Sequence, residues 1–279
     1  MQVLVNGIIL GMSYGLVAVG LTLVFGMMKM FNFAHGELYM LGAFVCYYCF
    51  HDWGIPYVAT VIIAILVVGV AGGLMEKLFF ARTRGQFHAP LVISLGLMYV
   101  ISTTASLWFG ADTKFVGSAV SGLYHFGDVV VSKERVLATF CSLAAFLVLY
   151  VFMMKTKMGM AFRATAEDSE AAHLQGVNIH GISTMSFVLA GALAGLAGAI
   201  MAPIFSVDPF IGEGIIMTAV VVVIIGGMGS VLGSLVGGLI LGLIESFGAQ
   251  HINQWANMLG FAVVVVIILV RPRGLFGHE

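Results

Sequence analysis

The chain has 279 residues, of which 61% are hydrophobic and only 9% charged, with a net charge of -1 and a mean hydropathy of +1.09. An ordinary soluble domain carries roughly a quarter charged residues, so this chain lacks the charge to cover a watery surface and its solvent is lipid. Soluble enzymes, disordered segments and nucleic-acid binders are excluded, because a near-neutral chain offers no field for a polyanion partner.

Apolar runs at 3 to 27, 33 to 50, 57 to 75, 89 to 109, 136 to 154, 184 to 204, 214 to 227, 231 to 248 and 255 to 270 predict an all-α, polytopic transmembrane helix bundle. Some runs are short for a bilayer that asks about 20 residues of a helix. Only Gly226-Gly227-Met228-Gly229-Ser230 separates 214 to 227 from 231 to 248, so this pair is either two short helices or one re-entrant hairpin. Eight or nine membrane segments follow. The first run has no Lys or Arg before Lys29 and is long enough to span, so it reads as a retained helix rather than a cleaved signal. Gly7, Gly11 and Gly15 recur along it at four-residue spacing, as do Gly229, Gly233 and Gly237 late in the chain. Small residues at this spacing let helix backbones approach closely in lipid, and the two ladders also hint at an internal repeat.

Where the first two spans join, Phe31-Asn32-Phe33-Ala34-His35-Gly36-Glu37-Leu38 puts an amide, an imidazole and a carboxylate close together. Ionisable groups at membrane depth are costly and face a cavity, a partner or the interface. Two readings are open: an interfacial turn in which Asn32 caps the second helix, or a fixed contact in a translocation path or against a partner. Cys46, Cys49 and Cys141 all lie in apolar runs and read as small core residues rather than a disulfide or metal framework.

Basic residues orient the bundle, since cytoplasmic loops collect them. With nine crossings, Lys29, Lys77, Arg82, Arg84, Lys155, Lys157, Arg163, Arg271 and Arg273 share one side, opposite Lys114, Lys133 and Arg135. The N-terminus is then outside and the C-terminus inside. The outer segment 110 to 135 holds β-prone Val129-Val130-Val131 and is too small for a ligand-binding domain. The largest inner loop, 155 to 183, is mostly polar. Within it Thr165 and Asp168 resemble a capping box, Glu167, Asp168 and Glu170 supply first-turn acids, and Gly176 suits a helix stop. A short amphipathic helix is expected, offering Ala171, Ala172 and Leu174 to a groove on a partner; an ordinary surface helix is the alternative.

Further on, Ala190, Gly191, Ala194, Gly195, Gly198 and Ala202 form a small-residue face on the span 184 to 204. Glu245 lies near the outer end of its span, where it either snorkels to the surface or lines a path. Neither a metal-ligand cluster nor a nucleophile constellation is legible, so no catalytic residues, metal or cofactor are expected. None of the six lysines follows a glycine, so the phosphate-binding GxxxxGK[ST] loop is absent from the sequence.

Several stretches resemble a known family. Glu170-Ala171-Ala172 with Gly176 matches the EAA-type coupling motif of ABC importer permeases. Five ordered blocks, Gly20-Leu21-Thr22-Leu23-Val24-Phe25-Gly26, Asn32-Phe33-Ala34-His35-Gly36-Glu37, Ala194-Gly195-Leu196-Ala197-Gly198, Gly226-Gly227-Met228-Gly229-Ser230 and Arg271-Pro272-Arg273-Gly274-Leu275-Phe276-Gly277, are similar to the conserved blocks of branched-chain amino acid (LIV-type) permeases. The resemblance implies one permease domain over 1 to 279, placed as a multi-pass protein in a bacterial inner membrane. It also implies partners: two cytoplasmic ATP-binding subunits, a second permease subunit, homologous or identical, and a solute-binding protein. Glu170, Ala171, Ala172 and Gly176 would couple to the ATPase, and Asn32, His35, Glu37 and Glu245 are candidates for the translocation path. The competing reading is a channel or ion-coupled carrier acting alone. The EAA segment is short, with no clear second half of a longer consensus.

Overall fold

Helix α1 (Gln2–Met28) carries the first apolar run and ends where Lys29 turns into the left-handed region, φ 55°. The computed structural model describes residues 1–29, 31–84, 86, 88–127, 129–251, 256–271 and 274–277. The expected start of the last span at Trp255, and Pro272 and Arg273 of the terminal block, lie outside the described residues.

After α1 the chain re-enters as α2 (His35–Cys46), which widens into a π-helical stretch at Tyr47–Asp52. Pro56 starts α3 (Tyr57–Met75), which also widens into a π-helical stretch, Glu76–Phe80, before a 3-10 turn at Ala81–Thr83. Helix α4 (His88–Phe109) leads to an antiparallel hairpin of β1 (Leu123–Phe126) and β2 (Val129–Ser132), with Leu123 opposite Ser132. The β-prone valines therefore lie in the second strand of this hairpin. Then come α5 (Lys133–Lys155), α6 (Lys157–Glu167), α7 (Ser169–Leu174), α8 (Ile179–Met201), α9 (Ile211–Gly226), α10 (Val231–His251) and α11 (Ala256–Val270).

Six of the described helices are long and apolar enough to cross a membrane: Gln2–Met28, Tyr57–Thr83, His88–Phe109, Lys133–Lys155, Ile179–Met201 and Val231–His251. Ile211–Gly226 and Met258–Val270 are shorter apolar helices. Their burial divides the bundle into centre and rim. In the apolar window of α1, 78% of residues are buried, against 22% in α4 and in α5. Helices α1, α2, α8, α9 and α10 accordingly form the centre, and the outward faces of α4 and α5 present apolar side chains such as Leu107 and Val148.

Glycine decides the pairing. The ladder Gly7, Gly11, Gly15 of α1 packs directly against α10, where an added Cβ at Gly11 would lie 2.7 Å from the Gly238 carbonyl oxygen. The small face of α8 does the same twice, through Gly191 and Gly195 against Val68 and Ala64 of α3, and through Gly198 against Tyr39 and Ala43 of α2.

Contacts repeat with a pattern. Helix α1 packs on α10 as α8 packs on α3; α2 packs on α8 as α9 packs on α1; and α2 meets α3 as α9 meets α10. Exchanging α1–α3 with α8–α10 maps each of these contacts onto another. Lys29, past the end of α1, bonds to the Ala166 carbonyl near the end of α6, and α6 and α7 pack on α8, which follows them, so α1 ends on the face where α8 begins. The two halves therefore run in opposite directions, as in an inverted repeat. The two glycine ladders noted in the sequence do not meet each other: Gly7 and Gly11 of α1 pack on Gly238 and Gly242 of α10, whereas Gly233 and Gly237 pack on Gly226 and Val222 of α9.

Chain ends and turns gather on two faces. On one, Gln2 exchanges two hydrogen bonds with Val130, Ser246 donates to the Val3 carbonyl, and Lys114 pairs with Val207. On the other, Arg84 meets His180, and the amides of Leu275 and Phe276 donate to the carbonyls of Ile225 and Gly226.

Candidate functional site

The segment Asn32 to Glu37 lies deep. His35 Nε2 is 3.2 Å from the Val17 carbonyl oxygen, and Val17 sits about 16 Å up α1 from its Met28 end at 1.5 Å per residue. Helix α2 thus begins partway through the bundle rather than at its surface. Asn32 does not cap it: Ala34 precedes the helix without a side-chain cap, and the Asn32 amide has no hydrogen-bond partner on either atom among the described residues. Its carbonyl oxygen instead accepts the His35 backbone N–H. Glu37 is fully buried with neither oxygen hydrogen-bonded among the described residues, and His35 Nδ1 is likewise without a partner.

Against this end of α2 lies the start of α9. A Cβ at Gly36 would collide with the carbonyl oxygen of Gly212. Helix α9 has 16 residues, about 24 Å, which is short of the roughly 30 Å hydrocarbon thickness. Both helices therefore start inside, head to head.

Glu245 is held inward rather than snorkelling. Tyr14 donates its hydroxyl to Glu245 Oε2 at 2.7 Å. The pair lines a cavity of about 250 Å³ between α1, α9, α10 and α11, with Gly214 and Thr218 on its α9 wall. The structure thus places Glu37 against the start of α9, the His35 ring against Val17 and Gly20 of α1, and Glu245 beside the next turn of α9.

Between residues 155 and 183 the expected single helix is two. Thr165 lies inside α6 and returns its hydroxyl to the Ala161 carbonyl, so it caps nothing. Asp168 is the cap of α7, accepting from the Glu170 and Ala171 amides at 3.0 Å each. Gly176 follows α7 with φ +84°, and its amide donates to the His173 carbonyl, the left-handed stop expected of it. Glu170 and Ala171 are exposed, as is Leu174 at 85%, whereas Ala172 is buried at 4% and faces the chain's own interior. A surface cavity of about 510 Å³ borders Glu170, His173, Leu174 and His180.

Sequence reasoning missed Glu76. Fully buried, it pairs with Arg84 and accepts from Ser183 at 3.4 Å and Thr184 at 2.7 Å, while Arg84 reaches on to His180. This cluster joins the end of α3 to the first turns of α8, which follow α6 and α7. Glu76 closes an apolar run in the sequence, where an acid reads as a loop residue; its hydroxyl partners Ser183 and Thr184 are more than a hundred positions away. Among the described residues, no group of three or more His, Cys, Asp or Glu stands close enough to hold a metal ion.

Comparison with known proteins adds a lineage. The family described as "Branched-chain amino acid transport system / permease component" matches residues 3–269. The high-affinity branched-chain amino acid transport system permease protein BraD of Pseudomonas aeruginosa is 30% identical over the whole chain and 96% of its own length. LivH of Escherichia coli, of the same description, is also 30% identical with the same coverage. Among solved structures, PsaBC from Streptococcus pneumoniae in complex with Fab aligns with TM-score 0.52 at 12% identity, covering 98% of this chain and 93% of that one, a likeness of fold alone.

Proposed function

Because the chain belongs to the branched-chain amino acid transport system permease family, we propose that it is the transmembrane permease subunit of an ABC importer for a branched-chain amino acid or a similar small solute. Its relatives are transport permeases rather than enzymes. The observation that carries the reading is the pair of broken helices, α2 and α9, starting head to head inside an inverted repeat. Such breaks are where membrane carriers place their substrates, and rocking one repeat against the other exposes the site to each face in turn.

The nine apolar helices cross with the N-terminus outside and the C-terminus inside a bacterial inner membrane. Supporting this, the loops gathered on one face of the bundle include Lys29, Arg82, Arg84, Lys155, Lys157 and Arg163. Residues 1 to 279 act as one permease domain whose coupling loop is about 155–183. Energy comes from two cytoplasmic ATP-binding subunits, which press on Glu170, Ala171 and the turn at Gly176, with Ala172 anchoring α7 to the bundle. A second permease subunit completes the path, and a solute-binding protein delivers the substrate.

Reconstitution tests this. The assembled complex in proteoliposomes takes up leucine only with ATP and loaded binding protein, and this chain alone conducts none. ATP-independent flux through the chain by itself would instead identify a stand-alone channel or ion-coupled carrier.

A further inference from the structure

The two helix starts that meet inside the bundle carry matching sequences. Ahead of and into α2 the chain reads Asn32-Phe33-Ala34-His35-Gly36-Glu37; ahead of and into α9 it reads Asp208-Pro209-Phe210-Ile211-Gly212-Glu213. An Asn or Asp, a Gly and a Glu recur at the same places. Since α2 and α9 exchange under the repeat, Glu37 and Glu213 are equivalent positions of its two halves.

The glycines bring the two helix starts together. With no side chain at Gly36 or Gly212 the two backbones abut, and Glu37 Oε1 occupies space 2.8 Å from where a Gly212 Cβ would stand. Glu213 follows Gly212 directly in α9, as Glu37 follows Gly36 in α2. Yet the equivalent residues differ in surroundings: Glu37 is sealed and Glu213 only half-buried. That asymmetry is what an inverted repeat captured in one of two alternating states produces.

A buried carboxylate without a partner is expensive, by several kcal/mol even after relaxation. A chain retains one where something outside it supplies the compensation. Here the oxygens of Glu37 and the Asn32 amide are all unpartnered and all buried, and the positive ends of two helices point at the same spot. Carboxylates suit an ammonium group, and helix N-termini suit a carboxylate. Together they complement a zwitterion.

We propose that Glu37 and Glu213 form the substrate-ammonium site of this permease, engaging the α-amino group of an amino acid in turn as the two repeats exchange states. This rests on the amino-acid permease reading above. It differs from a merely structural role in one respect: a permanently protonated Glu37 would be replaced by its amide without effect.

The experiment uses the complete complex in proteoliposomes, with leucine-loaded binding protein, and reads leucine imported per ATP hydrolysed. Glu37→Gln and Glu213→Gln should each lower that ratio at least tenfold, with Glu37→Asp recovering a substantial part. A Glu37→Gln complex with an unchanged ratio overturns the proposal, because the amide mimics a protonated acid. Should that variant fail to assemble, Glu213→Gln, at the half-buried position, decides by itself, and an unchanged ratio there overturns the proposal equally. If the unmutated complex imports no leucine with ATP, the permease reading falls and the proposal with it; if only the variants behave like the parent, the proposal alone falls.

Discussion

The hydroxyl of Tyr14 donates to Glu245 Oε2 across 2.7 Å, tying the middle of α1 to the last third of α10. The two residues lie 231 positions apart in sequence, and the bond stands beside the glycine interface that lets these helices touch. A hydrogen bond to a carboxylate is worth about 1.5–3 kcal/mol, so Tyr14→Phe should lower the stability of the solubilised protein by about that amount. Thermal unfolding in detergent reads this; an unchanged midpoint means the pair contributes nothing.

Close packing at the same interface makes a sharper demand. An added Cβ at Gly11 or Gly238 meets backbone atoms, which have no rotamer to retreat into. Gly11→Leu and Gly238→Leu should each cost at least ~3 kcal/mol, the upper end for overpacking, and show as loss of folded protein. Gly96 in α4 meets nothing within 4 Å, so Gly96→Ala should be neutral or slightly stabilising. Equal yields from all three would contradict the assigned α1–α10 contact.

Removing one side of a buried ion pair strands the other charge. Glu76→Ala should destabilise by about 3–5 kcal/mol, because Arg84, Ser183 and Thr184 all lose their acceptor. Glu76→Gln keeps an oxygen for the hydroxyls and should cost less. Chemical unfolding of the two variants checks the order; the reverse ranking would remove Glu76 as the fastener between α3 and α8.

At Gly176 the left-handed backbone excludes most side chains at a cost of roughly 1–2 kcal/mol. Gly176→Asp should abolish substrate-stimulated ATP hydrolysis in the assembled complex while leaving membrane insertion intact, and Gly176→Asn, which tolerates this conformation better, should retain more. Undiminished transport by Gly176→Asp would refute a coupling role for this turn.

Capping separates α6 from α7. Loss of the Asp168 carboxylate leaves the Glu170 and Ala171 amides unpartnered, so Asp168→Ala should loosen α7 by about 1 kcal/mol. Faster hydrogen exchange confined to residues 169–174 is the expected signature.

Much of this protein is legible without tertiary structure, because lipid imposes a local rule. Every backbone polar group must be satisfied within its own helix, so runs of apolar residues mark the helices directly, and observed bounds such as Tyr57–Met75 and Val231–His251 fall within a few residues of the expected ones. The left-handed stop at Gly176 and the hairpin around Val129-Val130-Val131 are local in the same sense. Asn32 and Thr165 misled for a related reason. Each has the composition of a cap, yet a cap is defined by where the helix starts, and deep packing of His35 against Val17 moved one start while Asp168 took the other.

By itself, then, the amino-acid sequence determined the solvent, the helices and the residues too polar for lipid, since hydropathy and helical spacing act within a single segment. Tertiary structure alone decided which helix each glycine ladder meets, that Glu76 is a fastener, and that Glu37 lies against Gly212. Those facts depend on contacts between segments far apart in the chain, where the closeness of two backbones, Gly36 on Gly212 or Gly11 on Gly238, is set by the whole bundle.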